Sequence, residues 1–371
     1  MNPRTQRGFL ILADITGYTP FVAETELEHS QEILRRMLNS IISTLTPVFT
    51  LAEVEGDAVF VYSKDPQNNT NSTTDSNSRG RLADIVPDMI ESLYYSFRDK
   101  RKSVNRAMTC ECKACKMATT LDLKFIVHYG EYILNNVGGK TKPLGSCVNV
   151  AHRLLKNHVT ETTGWKAYAL FTKECLDHIK LNSTQLHSET ETFDHIGTVE
   201  TFSMDLDSMY RKFVDERVVY VTADEADFIV QRDFPVAPSL LWEWFNDPKM
   251  KTRWNDGSNW DILARPTGRL GRGATNHCVN SKVIERILDY RPFDYYTSSL
   301  GRGPVDFTLT CKFQSVGEGC RLTWYIKMNG FLPAGIKKPL TKLLFEKGMG
   351  VHKNLDRLLN IIEAEQLMEE V

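Results

Sequence analysis

Apolar runs and helical periodicities organise the first half of the chain. Residues 9–13 form an apolar run that predicts a buried strand, and this strand ends on Asp14 with a turn behind it. Residues 26–45 carry apolar side chains at helical spacing, and residues 52–63 predict a hairpin. With the later elements the order becomes βαββαβ, which predicts a ferredoxin-like sheet with helices on one face.

Three further segments belong to this half. The polar stretch KDPQNNTNSTTDSNSRG, near residues 64–80, is low in complexity and predicts a disordered surface loop. A helix is predicted from Leu82 to about Phe97. Residues 121–134 alternate like a pair of strands around Gly130.

The pattern changes after a boundary near residue 221. Two short helices are followed by one strand after another, and the chain closes on a long helix with an apolar stripe from Leu340 to Ile362. A curved antiparallel sheet that grips this helix would bury the stripe. The sequence therefore predicts an α+β protein with two domains, residues 1–220 and 221–371.

Composition narrows the class of protein. A length of 371 residues, with 42% hydrophobic and 25% charged residues, is typical of a globular protein with two domains. The net charge of −2 gives no basic field that would attract nucleic acid. No apolar run approaches the roughly 18 residues of a membrane span. We expect a cytoplasmic protein whose eight cysteines are reduced thiols or metal ligands.

Asp14 has a counterpart in Asp57, which also lies in a turn directly before an apolar strand. If the two strands are neighbours, the carboxylates meet at one end of the sheet and repel each other unless a cation joins them. Oxygen ligands favour Mg²⁺ or Mn²⁺, which usually also bind substrate phosphates. The alternative is a strand end with a solvated aspartate. If the aspartates bind a cation, the turn after Asp14 would offer backbone N–H groups to the phosphates. These groups belong to Ile15, Thr16, Gly17 and Tyr18.

The stretch GSCVNVAHRL contains Asn149 and Arg153, which are four residues apart and so share a helix face. An amide and a guanidinium suit the positioning of a ribose and the stabilisation of charge on a reacting phosphoryl group. An amphipathic helix with a solvated arginine is the alternative.

Together LADITGYTPF, VEGDAVFVY and GSCVNVAHRL resemble, in order and spacing, the catalytic domains of class III nucleotidyl cyclases (adenylate and guanylate cyclases) over residues 8–180. The stretch TELEH after the first aspartate is similar to the bacterial DUF2652 group of cyclase-like proteins. The resemblance implies two Mg²⁺ or Mn²⁺ ions on Asp14 and Asp57. It implies that Asn149 orients the ribose and that Arg153 stabilises the transition state. It also implies a homodimer in which the metals of one subunit face the asparagine and arginine of the other.

Two positions depart from adenylate cyclases. Where those enzymes carry a base-reading lysine and an aspartate, this chain has Glu53 and Lys142. A carboxylate accepts hydrogen bonds and a lysine only donates them, so this pair would suit guanine or uracil better than adenine. The alternative is that neither residue contacts a base.

Cys110, Cys112 and Cys115 form a C-x-C-x-x-C cluster that the cyclase resemblance does not predict. Thiolates at this spacing can bind Zn²⁺ or an iron–sulfur cluster. A cysteine-bearing loop without a ligand is the alternative. A structural zinc site needs a fourth ligand, for which the candidates are Cys147, Cys175, His128 and His152.

Residues 225–366 resemble the START/Bet v 1-like helix-grip superfamily, which includes polyketide cyclase-like and lipid-transport domains. The resemblance implies an apolar cavity between sheet and helix, and an apolar small molecule or lipid as its ligand. Residues 307–313 and 322–328 alternate onto one face each, a pattern that ordinary core also explains.

The whole pattern favours an enzyme. We expect a metal-dependent nucleotidyl cyclase that converts a nucleoside triphosphate to a 3′,5′-cyclic nucleotide and pyrophosphate, modulated by an apolar ligand of the second domain. The alternative is a catalytically inactive cyclase-like module that binds nucleotide or dimerises, fused to a domain that binds a lipid or hydrophobic small molecule.

Overall fold

The computed structural model describes residues 5–64, 75–107, 112–179, 181–215, 218–266, 269–302, 305–330 and 332–369. The chain forms two compact units, Met1–Glu216 and Arg217–Val371. Among the helices of the described residues, none combines the length and the apolar character that crossing a membrane requires.

The first unit contains eight strands and eight helices among its described residues. In chain order they are β1 (Gln6–Thr16), α1 (Tyr18–Glu24), α2 (Leu27–Leu45), β2 (Thr50–Glu55), β3 (Ala58–Tyr62), α3 (Asp75–Ala107), α4 (Lys113–Met117), β4 (Asp122–Val137), β5 (Lys140–Leu144), α5 (Ser146–Arg153), α6 (Val159–Thr163), β6 (Tyr168–Thr172), α7 (Lys173–Leu176), β7 (His187–Phe193), β8 (Gly197–Asp205) and α8 (Leu206–Asp215).

One mixed sheet forms the centre of this unit. Its strand order is β2-β3-β1-β4-β6-β8-β7, with β5 paired to the end of β4. The β4–β6 pair is parallel and every other pair is antiparallel. The α+β class and the predicted hairpin between β2 and β3 are confirmed.

The sheet is covered on both faces, which differs from the predicted single layer of helices. Leu10 and Leu12 of β1 share a core cluster with Ala151 of α5. Ile11 and Ala13, which point to the opposite face of the strand, are fully buried as well. On that face α2 and α3 contact β3 and β4.

Two further differences concern chain segments between these strands. The predicted loop 64–80 is shorter, because residues 75–80 already belong to α3; residues 65–74 lie outside the described residues. The predicted strand pair around Gly130 is one continuous strand, β4. Gly130 is needed for space rather than for a turn, since a Cβ atom there would lie 2.7 Å from the Cβ of Cys147 on α5.

The second unit contains seven strands and four helices among its described residues. In chain order they are β9 (Phe228–Phe234), α9 (Pro238–Asn246), α10 (Pro248–Trp254), β10 (Trp260–Ala264), β11 (Thr275–Cys278), β12 (Val283–Arg291), β13 (Tyr295–Arg302), β14 (Val305–Val316), β15 (Gly319–Met328), α11 (Ala334–Leu343) and α12 (Val351–Glu369).

These seven strands form one antiparallel sheet in the order β10-β11-β12-β13-β14-β15-β9. The predicted apolar stripe packs into its core through Val351, Leu355, Leu358 and Ile362 of α12. The predicted single long helix is instead two helices, because a π turn at Leu344–Gly348 and the positive φ of Gly350 (59°) separate α11 from α12.

Candidate nucleotide site and cavity

Asp14 and Asp57 lie side by side at one end of β1 and β3. The antiparallel register pairs Asp14 with Ala58, and the Ile15 N–H donates to the Asp57 carbonyl at 3.2 Å. Gly56, with φ of 62°, allows the tight turn that brings Asp57 to this position. Burial raises the pKa of the Asp57 carboxyl, and the negative charge of Asp14 raises it further. The two carboxylates therefore form one electrostatically coupled site.

Lys124 completes this acidic pair, and the sequence analysis missed it. It lies directly opposite Asp14 in the register of β1 and β4. Its Nζ atom lies 3.1 Å from Asp14 Oδ2 and also donates to the Leu155 carbonyl at 3.1 Å. The ammonium charge also acts to lower the pKa of Asp57. One cation of the chain thus balances part of the negative charge of the pair.

The turn after Asp14 keeps only some of its predicted phosphate donors. The N–H of Ile15 is already bonded to Asp57, so Ile15 has no donor left for a phosphate. The Thr16 hydroxyl is buried and has no hydrogen-bond partner among the described residues. Gly17 has φ of 88° and precedes Tyr18, the first residue of α1, where helical N–H groups lack intrahelical partners. Donors therefore remain at Thr16, Gly17 and Tyr18.

Helix α5 presents Asn149 and Arg153 on one exposed face. The helix is capped by Gly145, whose φ of 152° is one that side-chain-bearing residues rarely adopt. It packs against the sheet over Gly130. Among the described residues Arg153 makes no ion pair, so its guanidinium is available to a ligand.

Glu53 and Lys142, which come from different hairpins, form an ion pair on the same side of the unit. Burial alone would raise the pKa of Glu53, but the hydrogen bond from Lys142 and its charge hold that pKa below the usual value. His152 on α5 contributes to this lowering and packs edge-on against Phe60 at 4.9 Å. The two predicted base-reading residues thus meet beside α5, but they engage each other.

The second unit encloses a cavity of about 550 Å³, within the range of small-molecule pockets. Most of its wall is apolar, and the main contributors are Trp254, Tyr296, Leu309, Phe345 and Met349. Such a lining suits a hydrophobic ligand, because burying apolar surface is favourable without regard to direction.

A buried ion pair between Lys251 and Glu285 belongs to the polar part of the cavity lining. Lys251 Nζ lies 2.9 and 2.8 Å from the two carboxylate oxygens, and the side chains are 8% and 2% exposed. Asn276 donates to Glu285 Oε2 at 2.8 Å, and the Trp260 ring lies 4.1 Å from Nζ. The pair therefore places two opposite charges beside the apolar lining of the cavity.

We expect Glu285→Gln to destabilise the second unit by about 3–5 kcal/mol, because Lys251 then remains buried and charged without its partner. Combining it with Lys251→Met removes that charge and should recover most of the loss. Urea unfolding followed by tryptophan fluorescence measures both. Equal destabilisation by the single and the double variant would contradict this role of the pair.

Comparison with known families assigns both units. Residues 34–163 match the family described as "Protein of unknown function (DUF2652)". Residues 225–363 match the family "Polyketide cyclase / dehydrase and lipid transport". The chain carries a DUF2652 domain followed by a polyketide cyclase-type domain. The DUF2652 and helix-grip resemblances noted in the sequence are thereby confirmed, although Asp14 lies before the first matched segment.

Individual relatives cover about half of the chain. The protein "Uncharacterized protein Rv2561/Rv2562" of Mycobacterium tuberculosis is 29% identical over 177 residues, which are 47% of this chain and 73% of that protein. The crystal structure of the guanylyl cyclase Cya2 has a TM-score of 0.39 and 14% identity, covering 55% of this chain and 93% of that one. The adenylyl cyclase CyaB from P. aeruginosa has a TM-score of 0.39 and 18% identity, covering 54% and 96%. TM-scores this low assign no activity to this chain.

The cysteine cluster of the DUF2652 domain has a partner that the sequence analysis missed. Cys112 and Cys115 lie next to His29 of α2, whereas Cys110 lies outside the described residues. The four candidates for a further ligand lie elsewhere. Burial raises the pKa of Cys147 to about 11, and that of Cys175 well above its usual value. His128 is buried and bonded to Thr172, and His152 packs on Phe60.

Proposed function

We propose that the DUF2652 domain is a metal-dependent nucleotidyl cyclase. It would convert a nucleoside triphosphate to a 3′,5′-cyclic nucleotide and pyrophosphate. The observation that carries the proposal is the meeting of Asp14 and Asp57 at adjacent strand ends, immediately before a turn with unused donors. Incubation of the full chain with each of the four triphosphates and Mn²⁺, followed by mass spectrometry of the nucleotides, tests it.

The acidic pair fits a divalent cation. The two carboxylates can carry two negative charges, whereas Lys124 supplies one positive charge beside them. Carboxylate oxygens are the ligands that Mg²⁺ and Mn²⁺ prefer. Bound to Asp14 and Asp57, such a cation would supply charge neutralisation at the phosphates and acidify the attacking hydroxyl.

The protein side chains would bind and orient the nucleotide for an in-line displacement. The 3′-hydroxyl would give its proton to solvent and its oxygen would form a bond to the α-phosphorus. The bond from that phosphorus to the bridging oxygen would break, and pyrophosphate would leave with the bonding electron pair. The Asn149 amide would orient the ribose, and the Arg153 guanidinium would balance charge that develops on the α-phosphoryl oxygens. The donors at Thr16, Gly17 and Tyr18 would hold the departing phosphates.

A homodimer through the DUF2652 domain would complete the site. Asn149 and Arg153 are exposed on α5, where a second copy of the chain can approach. The resemblance to class III cyclases implies that these two residues act on the nucleotide bound at the aspartates of the other subunit. A two-fold dimer would then contain two equivalent sites.

The Glu53–Lys142 pair leads to a prediction about the base. We expect the wild type to turn over GTP or UTP faster than ATP, because adenine presents a donor and an acceptor to the wrong partners. The exchange Glu53→Lys with Lys142→Asp keeps an ion pair but reverses its direction. It should shift kcat/KM toward ATP by roughly two orders of magnitude if the pocket is dry.

The matched control is the exposed pair Lys173 and Asp177, exchanged in the same way, which should leave the preference unchanged. Steady-state rates for the four triphosphates measure the effect. A wild type that prefers ATP, together with an unchanged preference in the Glu53/Lys142 variant, would show that these residues do not read the base.

A second function has its own support. Lys124 already pairs with Asp14, and Glu53 already pairs with Lys142, as would suit a domain that binds nucleotide or dimerises without turnover. The cavity of the polyketide cyclase-type domain would then carry a lipid or hydrophobic small molecule as the main ligand. Nucleotide that binds with Mn²⁺ but is recovered unchanged would favour this function.

A further inference from the structure

Three metal-ligating side chains converge in the DUF2652 domain, away from the acidic pair. His29 Nδ1 lies 3.1 Å from Cys112 Sγ, and Cys112 Sγ lies 3.0 Å from Cys115 Sγ. All three ligand atoms lie within 4.8 Å of one another. The sulfur–sulfur distance is well beyond the roughly 2.05 Å of a disulfide bond. Two segments that are 83 residues apart in the chain therefore present their ligands to one point.

The backbone around the cysteines is held in place by the segment that carries His29. The carboxylate of Glu26 accepts hydrogen bonds from the N–H groups of Lys113 and Ala114, at 3.2 and 3.0 Å. These two residues lie between Cys112 and Cys115, so Glu26 fixes the direction of both thiols. The Cys115 N–H also donates to Cys112 Sγ at 3.4 Å. Such outer contacts orient ligands in metal sites.

A second link joins the same two segments. Lys113 Nζ lies 3.0 Å from Glu24 Oε2. Glu24 and Glu26, which shortly precede His29 in the chain, thus both contact the turn between Cys112 and Cys115. The two segments are thus docked by polar contacts that do not involve the three ligand atoms.

From this geometry we infer that His29, Cys112 and Cys115 bind one Zn²⁺ ion. Zinc takes sulfur at about 2.3 Å and nitrogen at about 2.0–2.1 Å in a tetrahedron, which places two sulfurs about 3.8 Å apart. The thiols therefore need to separate by less than about 1 Å. Thiolate and imidazole ligands select zinc over Mg²⁺. The described residues leave the fourth tetrahedral position open.

Zinc is favoured over an iron–sulfur cluster by the ligand set. Clusters are held by four cysteines, or by two cysteines and two histidines. The ligand atoms that meet here belong to two cysteines and one histidine, a mixed set of the kind that zinc sites use. The site is independent of the proposed cyclase activity, since neither Asp14 nor Asp57 belongs to it, and its test does not require turnover.

The experiment measures metal content in the full chain, expressed with added zinc and purified without chelator. Mass spectrometry of elements should find about one zinc per chain in the wild type. His29→Ala, which changes an exposed side chain, should lower the zinc content at least about tenfold, and Cys112→Ser should do the same. His178→Ala and Cys147→Ser are the matched controls and should retain zinc. Circular dichroism verifies that each variant is folded.

Cobalt substitution gives a second readout. Co²⁺ added to chelator-treated wild type should produce a thiolate charge-transfer band that is absent in folded His29→Ala and Cys112→Ser. Chelation should also lower the melting temperature, and Zn²⁺ but not Mg²⁺ should restore it. Iron in place of zinc, equal zinc in the His29 variant and the wild type, or no bound metal in the wild type would each overturn the inference.

Discussion

Asp14→Asn and Asp57→Asn should each reduce Mn²⁺-dependent formation of cyclic nucleotide by roughly two to three orders of magnitude. Each change removes one charged ligand from a pair that would hold the cation, while the amide keeps the size of the side chain. Neither residue is part of the hydrophobic core, so the domain should remain folded. Initial rates of product formation, with melting curves for each variant, measure the effect.

Asp177→Asn is the matched control for these variants. Asp177 is an exposed aspartate of the same domain and pairs with Lys173 within one helical turn. Its loss should leave the rate unchanged, because exposed pairs of this type contribute little. A folded Asp14→Asn or Asp57→Asn protein with the wild-type rate would remove the acidic pair from the mechanism.

Mixing two inactive variants should restore activity if the site is shared between subunits. Asp57→Ala removes a proposed cation ligand from a site. Arg153→Ala removes the guanidinium that would stabilise the transition state. A heterodimer of the two contains one site with both defects and one site with neither. With free exchange of subunits, an equal mixture should recover about a quarter of the wild-type rate.

Analytical ultracentrifugation verifies the dimer, and labelled subunits verify that exchange has occurred. A mixture of exchanged dimers that stays inactive would contradict the shared site. An active chain that sediments strictly as a monomer would contradict it as well.

The sequence could predict the acidic pair because both aspartates end or begin apolar strands. The hairpin turn at Gly56 and the run at 9–13 are local signals, whereas the pairing of β1 with β3 is a condition that only the structure supplies. Lys124 could not be found in this way. It becomes part of the site only through the register of β4 against Asp14, and one residue of slip would point it to the other face.

His29 shows the same limit for the metal cluster. Its position on α2 gives no local sign of the cysteines, which lie more than 80 residues later in the chain. The contacts of Glu26 with Lys113 and Ala114, and of Glu24 with Lys113, bring them together. The TELEH stretch, which ends on this histidine, was the one available signal.

The fold class and the order of the elements could be predicted from the sequence. The bounds of some elements could not, because a glycine or a polar stretch is compatible both with a loop and with a continuous strand or helix. Gly130 looks like a turn residue in the sequence, yet it lies inside β4 to make room for Cys147. Residues 75–80 are polar enough for a loop, yet they extend α3. Gly350 breaks the helix between α11 and α12, although the helical spacing of apolar residues continues across it. Tertiary packing decides each of these cases.

The products of one reaction test the proposed activity most directly. The full chain is incubated with each triphosphate and Mn²⁺, beside Asp57→Asn, and nucleotides and pyrophosphate are quantified. We expect a 3′,5′-cyclic nucleotide and an equal amount of pyrophosphate from at least one triphosphate, with neither formed by the variant. Triphosphates recovered intact under all four conditions, or equal product from wild type and variant, would contradict a cyclase built on Asp14 and Asp57.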